Sequence, residues 1–185
     1  MQGQLESDLT DRGREQTEIN GRVLASLDIE ALYCSPLGRA RQSAEIINRQ
    51  LDLPIRYDAR IKEWDCGDWS GELYSDVQAR WPEAWAAYQA DRYYYRGPNC
   101  ENYPDMIARI RPFLGEVLDD SARSIAVVSH GMIGRVMVST LAGYDEGATL
   151  GFHQPNDVLY RVTLRDGDAT VDHFAAGAGP FPGVV

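Results

Sequence analysis

Two short stretches carry the residue types needed to grip a phosphoryl group. The first is Ser129-His130-Gly131, which closes the apolar run Ile125-Ala126-Val127-Val128 and opens another from Met132 to Leu141. That pattern predicts a buried strand, a tight turn and a helix. The second is Arg39, in Ser35-Pro36-Leu37-Gly38-Arg39-Ala40-Arg41-Gln42-Ser43-Ala44, just after the apolar segment Ala31 to Ser35. In open α/β sheets, ligands bind beyond the carboxyl ends of the strands, where the free N–H groups of a helix start favour anions. A guanidinium fork matches two phosphate oxygens, and an imidazole can hold, donate to or be phosphorylated by a phosphate. Parallel neighbouring strands would bring Arg39 and His130 to one rim. Each residue alone also has a structural reading: a core histidine satisfied by backbone, and a solvated helix arginine.

A third stretch is Glu63-Trp64-Asp65-Cys66-Gly67-Asp68-Trp69-Ser70-Gly71. A carboxylate among tryptophans is desolvated, which favours its protonated form and suits it to give a proton to a leaving alkoxide. The competing reading makes Glu63 and Asp65 surface acids on a turn. Cys34 does not form a cysteine-phosphatase loop with Arg39, because the Cys-x5-Arg spacing is one residue short and position 40 is alanine. Cys34 lies inside a strand pattern and reads as a small buried hydrophobe.

Composition narrows the function classes. The chain has 185 residues, enough for one domain with a sizeable core, and its 44% hydrophobic and 25% charged content is that of an ordinary globular protein. No stretch reads as a membrane span or a secretory leader. Three scattered cysteines make neither a disulfide frame nor a Cys-x-x-Cys metal site, which fits a reducing cytoplasm. No metal-ligand cluster is visible, and a phosphate held by an imidazole and a guanidinium needs neither a metal nor another cofactor. A net charge of −10 argues against nucleic acid and anionic membrane as partners. It leaves a small phosphorylated metabolite open, since a pocket needs only a few placed cations.

The remaining elements must position these groups. Thr10 is an N-cap with Asp11 in the first turn, and Ile19, Val23, Leu24 and Leu27 share a helical face. Ala31 to Ser35 is a strand, and Leu37 to Leu51 a helix with Ala40, Ala44, Ile47 and Leu51 inward. Residues 54–71 read as irregular, Trp81 to Ala90 as an aromatic helix, and Asp91 to Cys100 as a loop. Pro104 opens a helix to about Leu118, which Pro112 should kink or split. Val158 to Leu164 and Ala169 to Phe174 alternate around Asp166-Gly167, a hairpin signal. Beyond Gly177 the chain reads as a loose tail. The expected fold is one α/β domain over residues 1–185: three layers, a mostly parallel sheet flanked by helices, and a C-terminal antiparallel hairpin.

Taken in order, Leu9-Thr10-x-x-Gly13-x-x-Gln16, Arg39 with Gln42 and Ala44, Glu63-x-x-x-Gly67-x-Trp69-x-Gly71 and Ser129-His130-Gly131 resemble the histidine phosphatase superfamily, the phosphoglycerate mutase-like proteins. In that family one histidine takes the phosphoryl group as phosphohistidine, a second histidine and two arginines clamp its oxygens, and an acid protonates the leaving group. The resemblance implies that Arg39 is the second arginine, His130 the second histidine and Glu63 the proton donor. It puts Gln2, Gly3 and Gly131 beside the substrate. The stretch Tyr93 to Asn102 stands where family members carry a Gly-Glu-Ser turn, of which Glu101 is kept. This region caps the pocket there, which makes Arg92, Arg96 and Glu101 candidates for substrate selection. Trp69-Ser70-Gly71 is closer to the phosphatases than to the glycolytic mutases.

The family's Arg-His-Gly motif, with the nucleophile and first arginine, is nowhere in residues 1–185, whose three histidines are His130, His153 and His173. His153 sits in a loop and His173 in a hairpin strand. The sequence therefore reads as a family domain incomplete at its N-terminal end, through a late start or degeneration. A chain of this kind should turn over very slowly. A non-catalytic phosphate-binding protein is the reading from another class. The resemblance places the motif's strand beside the one ending at His130. The unpaired edges left there invite pairing with a second copy of the chain.

Overall fold

The computed structural model describes residues 1–185. Helix α1 (Asp11–Ala25) starts as its sequence dictates: Thr10 is extended, and its side chain accepts the Gly13 N–H. Strand β1 (Ala31–Cys34) leads into α2 (Gly38–Leu51). Strand β2 (Ile55–Tyr57), two single 3₁₀ turns, α3 (Tyr74–Arg80) and α4 (Pro82–Ala90) follow. Then come α5 (Tyr103–Leu118), β3 (Ile125–Val128), α6 (Gly131–Ala142) and α7 (Glu146–Gly151). The chain closes with β4 (Val158–Arg165), β5 (Asp168–Ala175) and β6 (Ala178–Pro182).

Strands β2, β1 and β3 form a parallel sheet in that order, with Leu32 opposite Ile55 and Ala126. Three layers result. Leu24 of α1 and Ile47 of α2 pack on Leu32 and Ala126. On the other face, Met106, Ile110 and Phe113 of α5 and Ile133 and Val136 of α6 form the largest core cluster, against which Tyr33 and Val127 lie. The parallel centre and the flanking helices are as the sequence indicates.

Four differences have physical causes. Residues 54–71 are not wholly irregular, because Ile55–Tyr57 pair with β1; three residues after a proline are too few to show a period. Pro112 does not split α5, which runs on to Leu118. Pro112 and Ala108, whose carbonyl loses its partner, both lie on the exposed face, where that carbonyl is open to solvent. The segment after Gly177 is a strand, not a loose tail. Ala176 and Gly177 both take positive φ and turn β6 back onto β5, and its prolines sit on an outer strand where N–H groups are not needed. The hairpin is thus part of a second, antiparallel sheet, β4-β5-β6, not bonded to the parallel one.

Both β3 and β4 end their sheets, and each has one edge without a strand partner. Residues of both line a single open cavity of about 1400 Å³, walled also by Leu24, Leu27, Leu114 and Met137. The cavity runs to Ser129, His130 and Arg39. No helix is long and apolar enough to cross a membrane.

Candidate active site

Strands β1 and β3 are parallel neighbours, so their carboxyl ends share one rim. The ladder extends one residue past β1, with the Ser35 N–H donating to the Val128 carbonyl at 2.9 Å. The turn Ser35-Pro36-Leu37 then starts α2 and puts Arg39 in its first turn. On the neighbouring strand, His130 is the extended residue that begins α6. Ser129 Oγ donates to the Ile61 carbonyl at 2.8 Å and ties this turn to the segment leading to Glu63. Arg39, Glu63 and His130 all line the cavity, as do Gln2, Gly3, Arg92 and Gly131.

Arg39 reaches over the rim to the N-terminal segment, where Nη1 donates to the Leu5 carbonyl and Nη2 to the Gly3 carbonyl, both at 2.8 Å. Its fork thus holds two backbone oxygens, the geometry that also fits two oxygens of an anion. Burial draws Arg39 below its ordinary pKa, against the pull of Glu63 and Glu6. Gly3 has φ +54°, and a Cβ there would lie 3.0 Å from Cys66 Sγ, so this close approach needs glycine. Gln2 donates its side-chain amide to Ser7 Oγ.

Glu63 is not simply an acid among ring faces. Its carboxylate accepts the N–H groups of Trp64 at 2.8 Å, Ile133 at 3.2 Å and Met132 at 3.3 Å. It occupies the anion position at the start of α6, so the free helix amides expected there are partly spent on a side chain from another element.

His130 is 8% exposed, and its Nε2 lies 2.8 Å from Ser35 Oγ. Burial, reinforced by Arg39 and Arg109, pushes its pKa down to about 3, so the ring is neutral at physiological pH. Burial pushes the thiols of Cys34, Cys66 and Cys100 up to about 12, which disfavours the thiolate a cysteine nucleophile needs.

The remaining sequence candidates separate. Arg92 lies with its guanidinium carbon 5.8 Å from the centre of the Tyr88 ring, and Tyr88 stacks on Trp64 beside Glu63. Arg96 is paired with Asp105 at the start of α5 and does not line the cavity. Nor does Glu101, which grips Arg109 through both oxygens at 2.7 and 2.8 Å and accepts the Asp65 N–H. Arg109 and Ser35 are contributors the sequence did not single out. Arg109 also donates to the carbonyls of Arg60, Lys62 and Glu63, which fixes the segment carrying Glu63 onto α5. No group of three His, Cys, Asp or Glu side chains is placed to hold a metal.

The family model described as histidine phosphatase superfamily (branch 1) matches residues 1–176. The chain belongs to this family. It is 32% identical over 152 residues to the glucosyl-3-phosphoglycerate phosphatase of Mycolicibacterium vanbaalenii, covering 77% of this chain and 67% of that protein. It is 29% identical over 149 residues to the 2,3-bisphosphoglycerate-dependent phosphoglycerate mutase of Bartonella bacilliformis, covering 76% and 72%. The structure of a mycobacterial glucosyl-3-phosphoglycerate phosphatase with inorganic phosphate superimposes with a TM-score of 0.85 at 23% identity, over 97% of this chain and 93% of that one. That likeness shows the fold. Relatives of this histidine phosphatase chain thus include phosphatases and mutases.

Proposed function

We propose that this chain is a phosphatase of the histidine phosphatase type for small phosphomonoesters, impaired in turnover because the family's route passes the phosphoryl group to a nucleophilic histidine that residues 1–185 do not supply. One observation carries the reading: parallel strands β1 and β3 deliver Arg39 and His130 to one cavity, with the Glu63 carboxylate beside them. Arg39 and His130 would hold the nonbridging oxygens through charge and hydrogen bonds, with Arg39 exchanging the Leu5 and Gly3 carbonyls it grips for phosphate oxygens. Family resemblance gives Glu63 the role of proton donor to the leaving alkoxide, which it could fill only after its carboxylate, now accepting three backbone N–H groups, takes up a proton. Gln2, Gly3, Gly131 and Arg92 would border the substrate. Phosphatase action is favoured over mutase transfer by Trp69-Ser70-Gly71, which resembles the phosphatase branch.

Neither His153 nor His173 lines the cavity, and His173 Nδ1 is spent on the Gly183 carbonyl at 2.9 Å. With His130 in the clamp, this chain is expected to turn over very slowly, which keeps a binding-only protein as the second reading. Phosphate release from p-nitrophenyl phosphate, measured together with vanadate binding, separates the two. Slow release that Arg39→Ala and His130→Ala reduce at least about tenfold, the loss expected for one charged hydrogen bond, supports catalysis. Vanadate binding with no release supports the binding protein. Wild-type release in both variants removes the site.

A further inference from the structure

We infer that Ser35 fixes His130 as the neutral Nδ1–H tautomer, so that the ring meets the cavity as a hydrogen-bond donor and not as a base or nucleophile. The functional half of this inference rests on the phosphoryl-site reading above, whereas the tautomer follows from counting hydrogen bonds. Ser35 is fully buried at the end of β1. Its Oγ has two polar neighbours, the Leu37 N–H at 3.4 Å and His130 Nε2 at 2.8 Å. The amide can only donate, so Oγ accepts from it. A buried hydroxyl must also place its own proton, and Nε2 is the acceptor within reach. Were Nε2 protonated instead, Oγ would face two donors and its own proton would have no partner.

The ring proton therefore belongs on Nδ1. That atom has no hydrogen bond within the protein. It is also not one of the sealed, unpartnered polar atoms, which are Trp69 Nε1, Arg135 Nε, Ser139 Oγ and Gln154 Oε1. It remains reachable from the cavity that His130 lines. The charged groups around the ring agree with a neutral donor. Arg39 from α2 and Arg109 from α5 oppose a further positive charge, and the Glu63 carboxylate is occupied by three amides. With Nε2 held by Ser35 and Nδ1 protonated, no lone pair of His130 points at an incoming phosphorus. Ser35 is thus a positioning residue: it assigns His130 to the clamp through a contact 95 residues away in sequence.

The test is long-range ¹H–¹⁵N NMR of the protein labelled at its three histidines, with His130 assigned by the signals that His130→Gln removes. The expected spectrum at neutral pH has a pyrrole-type Nδ1 and a pyridine-type Nε2. An Nε2–H ring or an imidazolium overturns the inference. Ser35→Ala should let the ring adopt the Nε2–H form and weaken vanadate binding about tenfold, the effect of one lost hydrogen bond to an anion, while Ser35→Thr keeps the hydroxyl and the original spectrum. A folded Ser35→Ala protein with the wild-type spectrum also overturns it. If Ser35→Ala does not fold, the wild-type spectrum decides. A protein with the expected spectrum that binds no vanadate retains the tautomer and overturns the phosphoryl-site reading instead.

Discussion

His130 should contribute to the acid sensitivity of the folded chain. Its ring stays neutral down to about pH 3, whereas an unfolded histidine takes up a proton near 6.5. Between those values the unfolded chain binds the extra proton, so stability falls as pH drops through that window, by about 1.4 kcal/mol per pH unit once the unfolded ring is charged. Above the window the contribution is constant. Urea unfolding of wild type and His130→Gln at pH 6.5 and 4.5 measures this directly. The wild type should lose more than the variant, and equal losses would contradict it. Among the site residues, Arg39 and His130 were legible because the grammar of strand, turn and helix places the first residues of a helix at the sheet rim. Ser35 and Arg109 were not, because their roles depend on partners 95 and about 50 positions away, and a serine after a strand looks like any turn residue.

At the scale of elements, the loop carrying Glu63 is zipped to the loop before α5. Asp68 donates its N–H to the Pro98 carbonyl, and Glu101 donates its own to the Asp65 carbonyl. Gly67 sits inside that zipper at φ +50°, and a Cβ there would lie 2.4 Å from both the Asn99 carbonyl carbon and the Pro98 carbonyl oxygen. Backbone must move to admit it, so Gly67→Ala should cost roughly 2–4 kcal/mol, at the severe end for a single methyl. Denaturant titration checks this, and a loss under about 0.5 kcal/mol, the range of an ordinary surface change, would show that the zipper is slack. Element type was readable wherever a period ran long enough, as in α2, α5 and the β4–β5 hairpin. It failed at β2, whose three residues show no period, and at β6, where prolines and glycines hide a strand that needs few N–H groups. Helices α3 and α7, of seven and six residues, were too short for a face to emerge.

The whole molecule is two three-stranded sheets sharing helices across an open, apolar-walled channel. Strand edges left without partners template association, and wet apolar walls bind hydrophobic dyes. Sedimentation velocity should therefore show self-association that grows with concentration, and anilinonaphthalene sulfonate should fluoresce with the protein while its circular dichroism stays native. A dilution-independent monomer that leaves the dye dark would mean that the channel closes in solution. The overall architecture was legible because buried parallel strands and amphipathic helices announce their layers. The separation into two sheets was not, since hydropathy tells which face of a strand is buried and nothing about which edge is bonded.

The channel also bears on calorimetry. Unfolding raises heat capacity because apolar groups newly meet water, by roughly 2.5 kcal/mol/K for a chain of this length. In this protein the apolar residues that wall the cavity keep part of their surface accessible in the folded chain. The measured increment should fall short of that figure, and the curve of stability against temperature should be correspondingly shallow.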